Sequence, residues 1–566
     1  MSGQSTSLAC PNTMFELLEY QKPARSQAEM VAVVDTGIDY THPALGNNCV
    51  GKGCLVAFGT DLVGDAYNWI NTPTRITRCC IVAAQPNPHG FTGAAPDVTL
   101  GAYHVFGCDG LASNDILISA FNKALEHGAQ IISASIVGTR GWTEEPWTVA
   151  VSRIVEQGVP CAISVGNDDD HGLFYISTAA NGKEVTAVAS YDNILTPSVH
   201  FHAGYSVDGG RATDFLYVPR PPALQGYTVL VRRVICLFAD KAVNQAAKGA
   251  KYMIVYNNVA GDFAPTLGDS ASLMKGSGMV TPEIGASWVN SLKAGSNIDF
   301  VSFSKSQAVT RSYAVLSGTS MSCPITAAII ALVSQVRGTR DPQLILNLLS
   351  ATANPQLSND GKQFYSRFAP AAQQGGGMSF FNDADRRIRE LSLTITDTGE
   401  EPATYRLGQV SSLAMYTLQK ASVYPMAFPN EAADSYASLK FLQDSVTVAP
   451  GEHVVVDVVA IPPSGLDATR LALWSGYITV NGTDVSSLSM PYQGLSSSLR
   501  NSTVLASDQS WIFHSNYSKN YVKAPDNTTF LLPAAANDVL PAVYVGLALG
   551  SSQAKIDVVP MTTCPP

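Results

Sequence analysis

Residues 30–35 read MVAVVD, an apolar run that closes on an acid and is followed by Thr36-Gly37. A run without polar alternation suits a strand buried on both faces, the habit of parallel sheets. Further β-then-α units follow. The pattern predicts strands over 98–106, 129–136 and 160–167, and amphipathic helices over 114–127 and 147–157, stopped by Gly128 and Gly158. Strands alternating with helices imply a parallel sheet with helices on both faces, whose ligands gather at the carboxyl ends of the strands. Asp35 and Asn167 lie at such ends. A second α/β unit between Leu224 and Asn258 has strands GYTVLVRR and KYMIVYNN around a helix over 239–248. Residues 319–336 are helical again, with Pro324 expected in the first turn, where its missing N–H costs little. After Gly375-Gly376-Gly377 come short β-rich runs, 391–395, 446–448, 453–460 and 473–480, separated by Pro, Gly, Asn and Asp. These read as a β-sandwich.

At 566 residues the chain is too long for one core and implies several domains. Apolar residues make up 46%, enough for globular cores, and charged residues only 14%, which excludes a disordered chain or a coiled coil. The net charge of −10, with no block of Lys or Arg, removes nucleic acid as a partner. The longest wholly apolar run, 327–333, is far short of a bilayer crossing, so no membrane span is expected. The first thirty residues lack the basic start, apolar stretch and cleavage site of a secretory signal. Sequons at Asn481, Asn501, Asn516 and Asn527 nonetheless favour a secreted surface. Ten cysteines without a C-x-x-C pair give neither a zinc site nor a compact disulfide scaffold; one or two disulfides are expected, their pairing open. No motif calls for a cofactor or a metal.

Acyl transfer needs a nucleophile, a base to take its proton, an acid to orient that base, and donors for the oxyanion. Asp35, in VVDTGIDYTHPALG, is a carboxylate at a buried strand end. Ser320, in LSGTSMSCP, sits where a small-residue turn runs into a helix, at the positive N-terminus. Asn167, in SVGNDDD, offers an amide donor. Taken singly, each has a plain alternative: a capping Asp, an N-cap Ser, a turn Asn.

Together the three stretches, in this order, resemble the subtilisin-like serine protease family, specifically its secreted multi-domain branch with a protease-associated insert. The resemblance runs from about Val31 to the C-terminus. It implies a subtilisin-like α/β fold with a parallel sheet and helices on both faces, an inserted small α/β protease-associated domain, and a C-terminal fibronectin-like β-sandwich. The expected layout is an atypical segment 1–30, catalytic parts 31–205 and 301–385 around an insert 206–300, and the fibronectin-like module over 386–566, ending where this branch usually continues. By the resemblance Asp35 orients the base, Asn167 stabilises the oxyanion, Ser320 attacks the peptide carbonyl, and SASIVG (133–138) pairs with an extended substrate. Protein or peptide substrates and an extracellular location are implied.

Two departures stand out. The family's histidine opens H-G-[TS]-H-V-A-G ahead of I-[IV]-A-A and G-F-T-G-x-A-P. Here IVAAQPNPHGFTGAAPDV keeps the later parts, while Thr74, in TRITRCC (74–80), stands where the histidine belongs. His89 is the nearest substitute, His42 follows the aspartate motif and His104 lies on a strand; none has a matching motif. The family's segments ahead of the serine motif also find no room in VSFSKSQAVTRSYAVLSGTS (301–320). The string Thr-Arg-Ile-Thr-Arg-Cys-Cys admits codons that, read one nucleotide later, spell His-Gly-Ser-His-Val-Ala. Two functions follow. One is a serine endopeptidase whose histidine motif lies in a shifted frame, leaving the chain as written nearly inactive. The other is a pseudoprotease that binds proteins without chemistry.

Overall fold

The computed structural model describes residues 29–46, 49–63, 78–86, 92–107, 110–138, 143–168, 171–173, 175–191, 201–211, 213–220, 228–233, 238–257, 273–303, 316–360, 363–375, 390–497, 502–503, 505–515, 522–525, 528–530 and 539–547. In chain order the elements are β1 (Met30–Asp35), β2 (Val56–Asp61), α1 (Arg78–Ala83), β3 (Thr99–His104), α2 (Asn114–Glu126), β4 (Ile131–Ala134), α3 (Pro146–Val155), β5 (Cys161–Ser164) and β6 (Thr186–Val188). Their sheet has the order β2-β3-β1-β4-β5-β6, and every pairing is parallel.

Residues 192–316 form a compact unit of their own. It holds β7 (Phe201–Val207), β8 (Thr213–Arg220), β9 (Thr228–Arg232), α4 (Phe238–Ala246), β10 (Tyr252–Tyr256), β11 (Gly276–Val280), α5 (Pro282–Lys293) and β12 (Ile298–Phe303). The sheet order is β12-β7-β8-β11-β10-β9, parallel among β9, β10 and β11 and antiparallel elsewhere. Tyr252, Ile254, Val280 and Trp288 make one small core, and Ala242, Met253, Val255 and Met274 another. The first unit resumes with α6 (Thr319–Arg337) and α7 (Pro342–Ala351).

The side-chain period of two along a strand splits the apolar run of β1 between two cores. Ala32 and Val34 face α2 and α3, joining Phe121, Ala124, Trp147 and Val151. Val31 and Val33 face α1 and α6, joining Cys79, Val82, Cys323, Ala327 and Ala331. α6 is the one described helix long and apolar enough to cross a membrane by length and composition. Its buried alanines instead lie on this sheet, making it the core helix of the domain. Pro324 is the sixth residue of α6 and so stands inside the helix rather than in its first turn; Gly318, with a φ of 130°, precedes the helix start at Thr319.

The last turn of α1 is closed by a neighbouring extended segment: Gly93, Ala94 and Ala95 donate their N–H groups to the carbonyls of Ala84, Ile81 and Val82 at 2.8, 3.0 and 2.8 Å. Arg340 holds the start of β1, its Nε 2.8 Å and its Nη2 3.2 Å from the buried Glu29 carboxylate. A disulfide joins Cys49 and Cys54. The segment 304–315, where the sequence leaves no room for family segments, lies outside the described residues, as do 1–28.

The C-terminal part is a β-sandwich. One sheet orders Glu390–Thr396, His453–Ile461 and Ser438–Phe441; the other is built around Leu473–Gly482 and Ala403–Ser411. All pairs are antiparallel. Alternate residues such as Val456 and Val458 point inward to meet Leu407, Trp474 and Ile478. A separate two-stranded sheet pairs Leu505–His514 with Pro541–Leu547.

Gly93 approaches α1 so closely that an added Cβ would stand 2.4 Å from the Ala83 and Ala84 nitrogens. Gly93→Ala is therefore expected to destabilise the first unit by about 1–3 kcal/mol, the usual range for overpacking. Thermal unfolding followed by calorimetry checks it, and an unchanged transition would contradict the stated closeness.

Candidate active site

Asp35 ends β1 and is 1% exposed. Its Oδ1 accepts the Thr36 N–H at 2.6 Å. His104 lies opposite Asp35 on β3, and its Nδ1 is 3.2 Å from the Asp61 carboxylate of β2. His42 serves the turn after the aspartate motif, its Nδ1 accepting the Ala44 N–H at 3.2 Å. His89 and residues 74–77 lie outside the described residues, as do Asn501, Asn516 and Asn527.

Ser320 is half-buried in the first turn of α6. Pro324, four residues on, has no N–H to offer the Ser320 carbonyl. Ser135, just past β4, fills that role: its hydroxyl donates to the Ser320 carbonyl oxygen at 2.9 Å. Ser133, two residues earlier on the same strand face, has its Oγ 3.5 Å from Cys323 Sγ. The first turn of α6 thus rests on two serines of the β4 strand line.

Asn167 follows β5 at a turn made by Gly166, whose φ is 99°. Its Oδ1 accepts the Thr319 N–H at 3.0 Å and lies 3.2 Å from Thr319 Oγ1. A backbone N–H can only donate, so the amide oxygen must face Thr319, which leaves the NH₂ as the outward donor. Gly318 keeps this contact open: a Cβ there would stand 3.1 Å from Asn167 Oδ1, at a φ of 130° that side chains rarely adopt. Asn167 and Ser320 are therefore brought together at one helix N-terminus, where the dipole favours negative charge. Burial pushes the Cys323 thiol up to about 11, against lowering by its hydrogen bonds with Ser133 and Ser135, and the Asp35 charge adds slightly to the rise. On α1, burial and the Asp39 carboxylate push Cys80 up to about 11 as well. Among the described residues, no group of three or more His, Cys, Asp or Glu gathers to hold a metal.

Thr319 and Ser135 were not singled out from the sequence. A proline four residues after a serine at a helix start is the signal that the serine carbonyl needs a donor from elsewhere, but it does not say which residue supplies it.

The fold is that of a subtilase. The profile of the Subtilase family matches residues 26–380, and the chain belongs to that family; an Fn3-like domain profile matches residues 380–493. The minor extracellular protease Vpr of Bacillus subtilis is 27% identical over 302 residues, 47% of this chain and 35% of that protein. The major intracellular serine protease of the same organism is 32% identical over 195 residues, 33% of this chain and 59% of its own length. The chain thus spans less than two thirds of either relative. Among solved structures, the psychrophilic subtilisin-like protease Apa1 from Pseudoalteromonas sp. AS-11 is 21% identical with a TM-score of 0.38, over 63% of this chain and 92% of that one.

Ser135→Ala is expected to leave the Ser320 carbonyl short of its donor and to cost about 1–3 kcal/mol of stability. Chemical denaturation at equilibrium measures it; a loss below a few tenths would show that water or a neighbour replaces the hydroxyl. For the thiols, a raised pKa means the neutral form persists below it. Cys161, pushed up by burial, and Cys323 should both resist iodoacetamide at pH 8 in the native protein and react in denaturant, as read by peptide mass spectrometry.

Proposed function

We propose that this chain is a serine endopeptidase scaffold in which Ser320 is the nucleophile, Asn167 donates to the oxyanion, Asp35 is the carboxylate that orients the base, and the base itself is missing from position 74. The observation that carries the reading is the Thr319–Asn167 hydrogen bond, which turns the Asn167 amide outward beside Ser320 at the head of α6. Attack by the Ser320 oxygen on a peptide carbonyl forms the new C–O bond and moves charge onto the carbonyl oxygen, toward the amide and the helix terminus. The Ser320 proton then needs an acceptor. Asp35 is a carboxylate suited to holding an imidazole, yet Thr74 offers none. In a subtilisin, removal of the histidine alone costs about 2 × 10⁶ in kcat, about 8.6 kcal/mol of barrier. Turnover by the chain as written is accordingly negligible.

Substrates are read as extended peptides. β4 ends at Ala134, and three residues beyond it the N–H and C=O of Val137 have no hydrogen-bond partner among the described residues. Such an edge accepts an added strand. The insert over 206–300, within the compact unit 192–316, is read as protease-associated. Secretion is supported by the extracellular relative and by the exposed sequon at Asn481. A pseudoprotease that only binds peptides is the second reading, and the same open edge favours it.

The test replaces Thr74→His, Arg75→Gly, Ile76→Ser, Thr77→His, Arg78→Val, Cys79→Ala and Cys80→Gly together. The chain as written should neither hydrolyse casein nor label with a fluorophosphonate. The replaced chain should do both, and lose both with Ser320→Ala or Asp35→Ala. A folded replaced chain that stays inert would defeat the assignment of Asp35, Asn167 and Ser320. Ser320-dependent turnover by the chain as written would defeat only the missing base.

A further inference from the structure

We propose that Val137 closes the slot beside Ser320, so that the site takes peptides with glycine or alanine as the residue contributing the scissile carbonyl. This rests on the reading of Ser320 as the acylated residue. Past the end of β4, Ser135 is bound to the Ser320 carbonyl at the head of α6, and two residues on Val137 stands against Gly166, the residue before Asn167. On the adjoining β5 line, Gly166 lies on the same side: its carbonyl oxygen is 3.2 Å from Thr319 Oγ1. The side chain of an acyl group seated between Ser320 and Asn167 has the space between these two neighbouring strand ends to enter.

Gly166, without a side chain, leaves its own side of that space empty. Val137 fills it from the other: its Cγ1 lies 3.4 Å from where a Cβ on Gly166 would stand. Val137 is nevertheless 41% exposed, so the methyls border open space rather than the core. The backbone holding it is fixed on both flanks. Gly138 O accepts Thr178 N–H at 2.7 Å and Thr178 Oγ1 lies 2.8 Å from it, while Ser177 Oγ reaches Ile136 O at 3.1 Å and Gly138 N at 3.2 Å. A β-branched residue has little χ1 freedom to swing aside. A methyl or a hydrogen fits over Gly166; an aromatic or long aliphatic side chain meets the valine.

Binding of product-like peptides tests this without requiring turnover. N-acetyl tetrapeptide acids that differ only in ending with Ala or Phe are titrated calorimetrically into the full chain and into Val137→Gly. The full chain should bind the Ala peptide at least about tenfold more tightly, within the range that a few methylenes of misfit produce. In Val137→Gly the ratio should fall to parity or reverse. Phe binding equal to or tighter than Ala in the full chain overturns the inference on its own, even if the variant fails to fold. If neither peptide binds at millimolar concentration while circular dichroism shows folded protein, the reading of the site as a peptide cleft fails, and this inference with it.

Discussion

The carbonyl of Ser320 is the point on which the subtilase domain turns. Pro324 removes the amide that an uninterrupted helix would bring to it, and the hydroxyl of Ser135, 185 residues away in sequence, replaces that amide at 2.9 Å. The replacement demands that β4 run beneath the first turn of α6 and that the helix approach the sheet closely. Cys323, Ala327, Ala328 and Ala331, all buried, permit the approach because none is bulky. Thr319 then lies within reach of Asn167 at the end of β5. Sheet, helix and amide thus share one constraint, and the direction of the Asn167 NH₂ follows from it.

Buried polar groups elsewhere on the α6 face are handled by pairing. His104 and Asp61 lie side by side at the carboxyl ends of β3 and β2, next to Asp35 on β1. Placing an acid, an imidazole and another acid in a row in a largely buried layer keeps each charge near a group able to answer it. The thiols of the same layer are held neutral instead, because burial outweighs their hydrogen bonds.

The sandwich touches the subtilase domain close to the strand end that carries Asn167. Gly172, a few residues beyond it, packs so near Met426 that a Cβ would stand 2.3 Å from the Met426 carbonyl oxygen. The sandwich segment bearing Met426 is itself organised around buried Arg470, which lies 4.1 Å over the Tyr416 ring, 2.9 Å from Glu431 and 3.1 Å from Leu418 O. The guanidinium in turn holds the Glu431 carboxyl below its ordinary range. One arginine thus stiffens the surface against which the loop after Asn167 is packed.

Local pattern determined much of this protein. MVAVVD is apolar at every position before its acid, and a strand buried between two helical layers has no other composition, so β1 and its carboxylate end were legible at once. The helices ending at Gly128 and Gly158 and the alternating strands of the sandwich were legible for the same reason, since burial of one face leaves a period in the sequence. The motifs around Asp35, Asn167 and Ser320 carried the resemblance to the family. β2 and β6 were not, because a half-buried edge strand and a three-residue strand carry too little apolar signal. Pro324 read as a first-turn proline, but counted from Thr319 it is the sixth residue of the helix, and the loss of its N–H is answered by Ser135, which no local pattern names. The partnership of Ser135 with the Ser320 carbonyl, and the reach of Val137 over Gly166, were decided by tertiary structure alone. Sequence period fixes which side a residue faces, but only the packing of strands and helix drawn from distant parts of the chain fixes what it meets there.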